Sequence, residues 1–274
     1  MTAVSVVVFT LNEERNLGAC LDCLAWCDDT IVVDSYSTDR TRQICEERGV
    51  HFVQHAFDGF GAQRNWALQN LELRHDWVLI LDADERVPTE LSSELASLAV
   101  TSPPHMGAYR IRRRFYLWGR WLRYSSLYPS WVVRFVHRHR VEYVNRGHSE
   151  TQTVSGETGE ICSFLIDENH KGLDEWFSRQ IRYARKEAEY ELESEELPWT
   201  ILSVFHRDPL QRRTALKRLA GALPWRGQIY FLYCYFARFG FLDGRDGFVF
   251  CRMKAIYQSM IAVEKHDLQK NQNR

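Results

Sequence analysis

The sequence predicts an α/β protein, a mostly parallel sheet flanked by helices, with a helical extension towards the C-terminus. Three observations predict it. The runs Val4 to Phe9 (VSVVVF) and Thr30 to Asp34 (TIVVD) are β-branched and nearly continuous, as strands covered on both faces are. Helical periodicity follows each of them, and repeated βα units build a parallel sheet between helices. Beyond Gly172 the pattern changes to long charged and aromatic helical stretches punctuated by Pro198, Pro209 and Pro224.

Taken in order, Glu13 to Trp26 places Leu17, Leu21 and Leu24 at helical spacing and forms the first helix. Thr38-Asp39-Arg40-Thr41 puts Thr or Asp at a cap position and opens the second. His51 to Gln54 is a short third strand, Gly61 to Leu71 a third helix, and Trp77 to Leu81 a fourth strand. A helix over Thr89 to Ala99 then breaks the rhythm. Strands at Ala108 to Arg112 and Trp131 to Val136 follow, joined by an aromatic, arginine-rich loop. Leu173 to Leu192 is a charged helix, and the remainder to about Val263 is helical and aromatic. There is no internal repeat and no low-complexity linker, so the boundary near Gly172 is a soft one.

A chain of 274 residues holds one large α/β domain with a helical appendage and needs no disulfides for its core. A formal charge of -1 with 45% apolar residues describes a folded soluble protein, neither a basic chain that coats nucleic acid nor a disordered acidic one. Locally the charge is uneven. Arg112, Arg113, Arg114, Arg120, Arg123, Arg134, Arg138 and Arg140 crowd one segment, and Arg212, Arg213, Lys217 and Arg218 another; an anionic ligand, a membrane surface or a solvated face would each suit them. The seven cysteines include Cys20, Cys23 and Cys27 at helical spacing, which reads as buried thiols rather than zinc ligands and fits a reducing cytoplasm. The N-terminal MTAVSVVVFTLNEE has no basic leader and enters a strand at once, against a secretory signal. Ile229 to Leu242, the longest apolar run, is interrupted by Arg238 and falls short of the roughly 20 residues that cross a bilayer; it suits a place against a membrane, not through one.

Ligands of open α/β sheets bind beyond the carboxyl ends of the strands. Three of the four strands end there in polar groups: Thr10, Asn12 and Glu13 after the first, Asp34 after the second, and Asp82-Ala83-Asp84 after the fourth. Residues two apart on an extended segment point the same way, so Asp82 and Asp84 can converge, and like charges that close need a cation or a proton between them. Oxygen ligands suit Mg²⁺ or Mn²⁺. The alternative is that Asp84 and Glu85 cap the following helix.

The segments VSVVVFTLNEERNL, IVVDSYSTDRT, GFGAQRNWAL and DWVLILDADE resemble, in order and spacing, those of the family-2 glycosyltransferases. GHSE at Gly147 to Glu150 and GFLDGRDGF at Gly240 to Phe248 resemble the branch that contains lipopolysaccharide core β-glucosyltransferases. The resemblance covers about residues 1 to 260. It implies a GT-A fold, a nucleotide-sugar donor, a divalent metal (Mg²⁺ or Mn²⁺) and inversion at the anomeric carbon. Residues 1–172 would then be the catalytic domain, with a nucleotide-sugar half to about residue 100 and an acceptor half after it, and 173–274 a helical extension for acceptor or membrane association.

The resemblance also implies roles. Asp34 would hold the base or ribose, with Thr10, Asn12 and Glu13 lining the same pocket, as an acceptor-only carboxylate suits an imide N–H or ribose hydroxyls. Arg64 would pair with the diphosphate, or is a surface arginine on a helix. In the DAD segment Asp84 would be the direct metal ligand, with Asp82 and Ala83 at the ribose or a metal-bound water, and His170 would complete the metal shell or serve a structural role. Attack by a sugar hydroxyl needs a base. Glu150 is the candidate, with Glu142 and Asp167 as competitors. His148, Arg134 and Asp243 are candidates for acceptor contact, and Asp243 alternatively caps a helix.

The function implied is an inverting, metal-dependent transfer of a hexose, most simply glucose from UDP-glucose, to a cell-surface glycan such as lipopolysaccharide core or a lipid-linked exopolysaccharide intermediate. The partners are the nucleotide sugar, the glycan and the cytoplasmic face of the inner membrane, not nucleic acid. A nucleotidyltransferase that makes a nucleotide sugar is the alternative from the same fold, but TLNEERNL is no Gly-rich phosphate loop. A non-catalytic nucleotide- or glycan-binding module is the other, and the retained acids speak against it. No G-x-G-x-x-G follows the first strand, which disfavours a dinucleotide dehydrogenase, and nothing requires the paired carboxylates of a glycosidase.

Overall fold

The continuous β-branched runs are buried on both faces: every residue of β1 (Ser5–Thr10) is buried, as are four of the five in β2 (Thr30–Asp34). The computed structural model describes residues 2–146, 149–194 and 225–272. The chain divides into two compact units, 1–122 with 128–172, and 123–127 with 173–274.

The first unit carries a nine-stranded mixed sheet. With β3 (His51–Gln54), β4 (Trp77–Asp82), β5 (Glu85–Arg86), β6 (Met106–Leu117), β8 (Ser130–His137) and β11 (Glu157–Glu168), its order is β3-β2-β1-β4-β8-β6-β11-β5, and β7 (Arg120–Trp121) pairs with β6. β3, β2, β1 and β4 are mutually parallel, β8 enters antiparallel, and β6 and β11 are parallel to each other. The arrangement sets its rim by register. Phe9 pairs with Asp82 and Thr10 with Asp34, so the polar ends of three adjacent strands lie at one level.

Alternation along β1 divides the core. Val6 and Val8 pack with Leu17 and Leu21 of α1 (Leu17–Asp22), Ile44 of α2 (Thr41–Glu47), and Leu91 and Leu95 of α4 (Thr89–Thr101). Val7 and Phe9 pack on the other face with Ala67 and Leu68 of α3 (Phe60–Asn70). All seven cysteines are free thiols, and burial pushes the Cys20 thiol well above its ordinary pKa.

The structure differs from the sequence-based expectation in its second half. Strand β6 is longer, β11 was not expected, and β9 (Val141–Arg146) and β10 (Ser149–Val154) form a separate antiparallel pair. β11 hides from a periodicity search because its register on β6 shifts between Glu160 and Phe164, which interrupts its alternation.

The arginine-rich segment is mostly spent internally. Arg112 donates to the Cys162 carbonyl, Arg138 to those of Leu68 and Leu73, and Arg140 to that of Met106; Arg110 pairs with Glu160, and Arg114 lies over the Phe164 ring. Arg212, Arg213, Lys217 and Arg218 lie outside the described residues.

The second unit packs α5 (Leu173–Ser194) on α7 (Gly244–Gln272) around Ala184, Ala188, Tyr257 and Ile261, and α6 (Arg226–Leu232) lies against α7. Arg226 makes a bidentate pair with Glu191 at 2.8 and 2.9 Å. Between α6 and α7 lie a π-helical turn, Tyr233–Ala237, and a 3-10 turn, Gly240–Asp243. No helix among the described residues is long and apolar enough to cross a membrane.

This turn accounts for GFLDGRDGF. A Cβ on Gly240 would lie 2.7 Å from the Cys234 carbonyl oxygen, and one on Gly247 2.5 Å from both the Gly240 oxygen and the Asp243 Cβ. Asp243 is buried, and its carboxylate accepts from the backbone N–H groups of Arg123 (3.1 Å), Tyr124 (3.0 Å) and Ser125 (2.7 Å) and from the Ser125 hydroxyl (2.6 Å). The expectation that Asp243 contacts acceptor is corrected: its oxygens are committed to the 123–125 segment. Asp243→Ala strands those donors and should lower stability by roughly 3 kcal/mol in urea unfolding. An unchanged midpoint with a raised acceptor KM would instead restore the acceptor role.

Candidate active site

The rim begins where β1 and β2 end. Thr10 Oγ1 donates to Asp34 Oδ1 at 2.9 Å, the Ser37 N–H to Oδ2 at 2.8 Å and Gln54 Nε2 to Oδ2 at 3.3 Å, while the Ser37 hydroxyl makes a short bond to Oδ1. Asp34 is fully buried. Its carboxylate ties the ends of β1 and β2 to the loop after β2, and a base or ribose would have to displace one of these donors. Asn12, left-handed at φ 53°, ties the two loops together: its N–H donates to Ser37 Oγ at 2.7 Å and its Oδ1 accepts from the Thr38 N–H at 2.8 Å.

At the end of β4 the acids part company. Asp82 Oδ1 accepts from Arg64 Nη2 at 3.1 Å and Oδ2 pairs closely with Arg134 Nη2. Glu85, 1% exposed, accepts from the Asp82 N–H at 2.9 Å and from Arg134 Nε and Nη2 at 3.2 and 3.0 Å. Loss of solvation pushes the Glu85 carboxyl up, against the pull of Arg134. Asp82 loses solvation too, although its side chain is 36% exposed, but Arg134 and then Arg64 hold it below the ordinary aspartate value. Burial followed by the nearby Arg134 lowers the Arg64 guanidinium, whereas for Arg134 the two acids outweigh burial and raise it.

Arg134 therefore braces the turn. Its Nε and Nη2 face Glu85 and Asp82, and it also lines a cavity with Glu150, so the bracing contacts are what the structure adds to its expected acceptor role. Ala83 is buried in the core, and its carbonyl accepts from Arg86 Nη1 at 2.8 Å.

Helix α3 explains GFGAQRN. A Cβ on Gly59 (φ 123°) would lie 2.6 Å from Asn145 Nδ2, and one on Gly61 3.1 Å from the Asn145 backbone nitrogen. The two glycines let the β9–β10 hairpin lie on the helix. Asn65 holds it there as a strand would, donating to the Tyr143 carbonyl and accepting from its N–H, both at 2.8 Å. The docked hairpin delivers Glu150, which pairs closely with Arg64 Nη1. Arg64, Asp82, Arg134, Glu150, Arg113 and Trp131 line a cavity of about 430 Å³. Of the competitors for the base, Asp167 pairs with Arg113 at 3.1 Å and Glu142 is exposed on β9; neither lines that cavity. His148 lies outside the described residues.

Asp84 faces a different set of partners from Asp82. Its Oδ2 accepts from Asn169 Nδ2 at 2.8 Å, and its carbonyl from the Glu168 N–H at 2.9 Å. Among the described residues no hydrogen bond or ion pair reaches Asp84 Oδ1. His170, half exposed, follows Asn169, and its N–H donates to Asn16 Oδ1 at 2.8 Å. Burial raises the Glu13 carboxyl, Lys171 at 2.6 Å opposes this, and the Asp84 charge adds to it, so Glu13 and Asp84 share one electronegative corner.

Asp82, Asp84 and His170 do not form a single ligand set, because two arginines occupy Asp82. Among the described residues no three His, Cys, Asp or Glu side chains converge as a protein-only metal site. Mg²⁺ and Mn²⁺ need less than that, commonly one or two carboxylates with water and substrate phosphate. The open oxygen of Asp84, a hard donor, fits such an ion.

The description Glycosyl transferase family 2 matches residues 5–170, from the first residue of β1 to just past the end of β11. The chain belongs to that family. The lipopolysaccharide core biosynthesis glycosyltransferase LpsC of Rhizobium meliloti (strain 1021) is 26% identical over 286 residues, covering 98% of this chain and 95% of that protein. An uncharacterized glycosyltransferase of Rickettsia bellii is 33% identical over 93 residues, only 34% of this chain and 31% of that one. Among solved structures, glucosyl-3-phosphoglycerate synthase from Mycobacterium tuberculosis, crystallised with Mn²⁺, UDP and phosphoglyceric acid, aligns at 17% identity with a TM-score of 0.44, covering 68% of this chain and 76% of that one.

The family-2 chain thus contains residues that sequence reasoning did not single out as site builders: Glu85, Asn65, Asn145 and Asn169. Glu85 stands beside the DAD acids in the sequence, but its partner Arg134 is 49 positions away. Replacing Arg134 with Met leaves Glu85 and Asp82 without their shared cation and should cost about 3–5 kcal/mol of stability, read by thermal or urea unfolding. A loss below about 1 kcal/mol would show that the cluster is not a brace.

Proposed function

We propose that this family-2 glycosyltransferase moves a hexose, glucose from UDP-glucose, with inversion onto a cell-surface glycan. The acceptor class is lipopolysaccharide core or a lipid-linked exopolysaccharide intermediate, met at the cytoplasmic face of the inner membrane. The observation that carries the reading is the division of the β4 acids, which leaves Asp84 Oδ1 open at the sheet rim while Glu150 lines the neighbouring cavity. Similarity to LpsC along nearly the whole chain supports the acceptor class.

Asp84, with His170 beside it, would hold Mg²⁺ or Mn²⁺. The bound ion supplies charge neutralisation of the diphosphate as the sugar–phosphate bond breaks, so that no acid need protonate the leaving group. Thr10, Asn12, Glu13 and Asp34 shape the nucleoside end of the pocket. Arg64 is the residue that can respond to the donor. A diphosphate offers its guanidinium a bidentate anion in exchange for Glu150, and its capture frees that carboxylate. Glu150 then takes the proton of the acceptor hydroxyl as its oxygen bonds to the anomeric carbon, and the electron pair of the broken bond leaves with the nucleoside diphosphate.

A panel of nucleotide sugars assayed with Mn²⁺, with Mg²⁺ and with chelator tests this reading. UDP-glucose should give the fastest metal-dependent turnover, and activity indifferent to chelator would overturn it. Glu150→Gln should keep donor affinity and lower transfer by about 100-fold or more. Undiminished transfer would move the base elsewhere.

A further inference from the structure

The second unit displays its largest apolar side chains outward at one place. In the turn between α6 and α7, Tyr233, Phe236, Phe239, Phe241 and Leu242 are 47%, 56%, 55%, 42% and 53% exposed. The rings form one cluster through Tyr235, whose centroid lies 5.1 Å from that of Phe236 and 6.2 Å from that of Phe241, while Phe239 and Phe241 are 6.0 Å apart. The display is built into the fold. Gly240 and Gly247 close the backbone beneath it, Asp243 anchors it, and Phe239 is held left-handed at φ 59°. The patch continues into an apolar groove of about 870 Å³ that runs past Phe231, Leu232 and Phe248 to Ile256 and Val263.

An exposed apolar patch of this kind marks a protein or a membrane partner. The charges beside it select the membrane. Arg238 is partly exposed, and Arg245 and Arg252 are exposed. The three arginines outnumber the acids beside the turn, where Asp243 is buried under its four donors and Asp246 is partly exposed; Glu264 lies at the far end of the groove. A second copy docked on the same face would set these arginines against their own kind, whereas anionic headgroups complement them. Aromatic rings beside arginines are also the composition of an interfacial anchor, and no described helix can span a bilayer.

We propose that the α6–α7 turn is a membrane wedge, whose aromatic tip enters the interface of an anionic bilayer with Arg238, Arg245 and Arg252 at the headgroups. This deepens the membrane-surface partner named above and rests on it, narrowing the apolar run Ile229 to Leu242 to its exposed aromatic turn and adding the arginines beside it. In function it would hold the enzyme on the leaflet that carries a lipid-linked acceptor.

Sedimentation of the full chain with vesicles of phosphatidylethanolamine and phosphatidylglycerol, against phosphatidylcholine alone, tests the proposal. Binding is expected to the anionic vesicles and to weaken with salt. Phe239→Ser with Phe241→Ser should lower partitioning by about tenfold or more, and Arg245→Glu with Arg252→Glu by at least about fivefold. Wild-type protein left in the supernatant would overturn the wedge, as would undiminished binding by the arginine variant, which alters exposed side chains only and decides the matter if the ring variant does not fold. Conversion of a dimer to a monomer by the ring variant, with vesicle binding unchanged, would assign the patch to self-association instead. Donor hydrolysis measured without vesicles is read separately, because its absence counts against the glycosyl-transfer reading and not against the wedge.

Discussion

Arg134 lies between Asp82 and Glu85, and the rest of the site depends on that one buried arrangement. Three acids within four positions at the mouth of a buried strand would repel one another and lose solvation together. The guanidinium answers for two of them. Two carboxylates and one arginine make a geometry with little freedom, because release of any member leaves another charged group short of water or partner. The turn after β4 is thereby held, and the third acid, Asp84, stays at the rim with an oxygen unclaimed among the described residues.

A second arginine extends the arrangement across the sheet. Arg64 reaches Asp82 at the end of β4 and Glu150 on the hairpin, so the turn after β4, helix α3 and the hairpin meet through one side chain. The hairpin reaches that point because glycines at positions 59 and 61 give it room and Asn65 offers it a strand-like edge. Arg64, Arg110, Arg113 and Arg134 outnumber Asp82 and Glu150 in the cavity lining, but each of the four is paired with an acid in or beside it. A diphosphate entering there would redistribute existing pairs rather than fill a vacant basic hole.

Much of this was legible in the sequence and some was not, for physical reasons. The parallel half was readable because strands buried on both faces announce themselves as β-branched runs, and β1, β2, β3 and β4 lie within a residue or two of their expected places. The polar rim followed from the same strands, since whatever terminates them must sit at the ligand edge. What escaped was set by partners far away in the chain. Nothing near Asp82 discloses that Arg134 and Arg64 will pair with it, and the alternation that lets Asp82 and Asp84 converge on one cation takes no account of such distant ion pairs. GFGAQRN is similar: its glycines answer to Asn145, more than 80 positions on. GFLDGRDGF leaves acceptor contact and a structural role both open in the sequence, and only the burial of Asp243 beneath the 123–125 segment brings out the structural one.

The central claim is that these acids have separate duties, Asp82 and Glu85 for bracing and Asp84 for the cation. Electron paramagnetic resonance of Mn²⁺ titrated into the protein with UDP present measures that division most directly. The account predicts that Asp84→Asn abolishes the bound-Mn²⁺ signal, whereas folded Asp82→Asn retains it. A bound signal in Asp84→Asn equal to that of the wild type, with loss confined to Asp82→Asn, would contradict it.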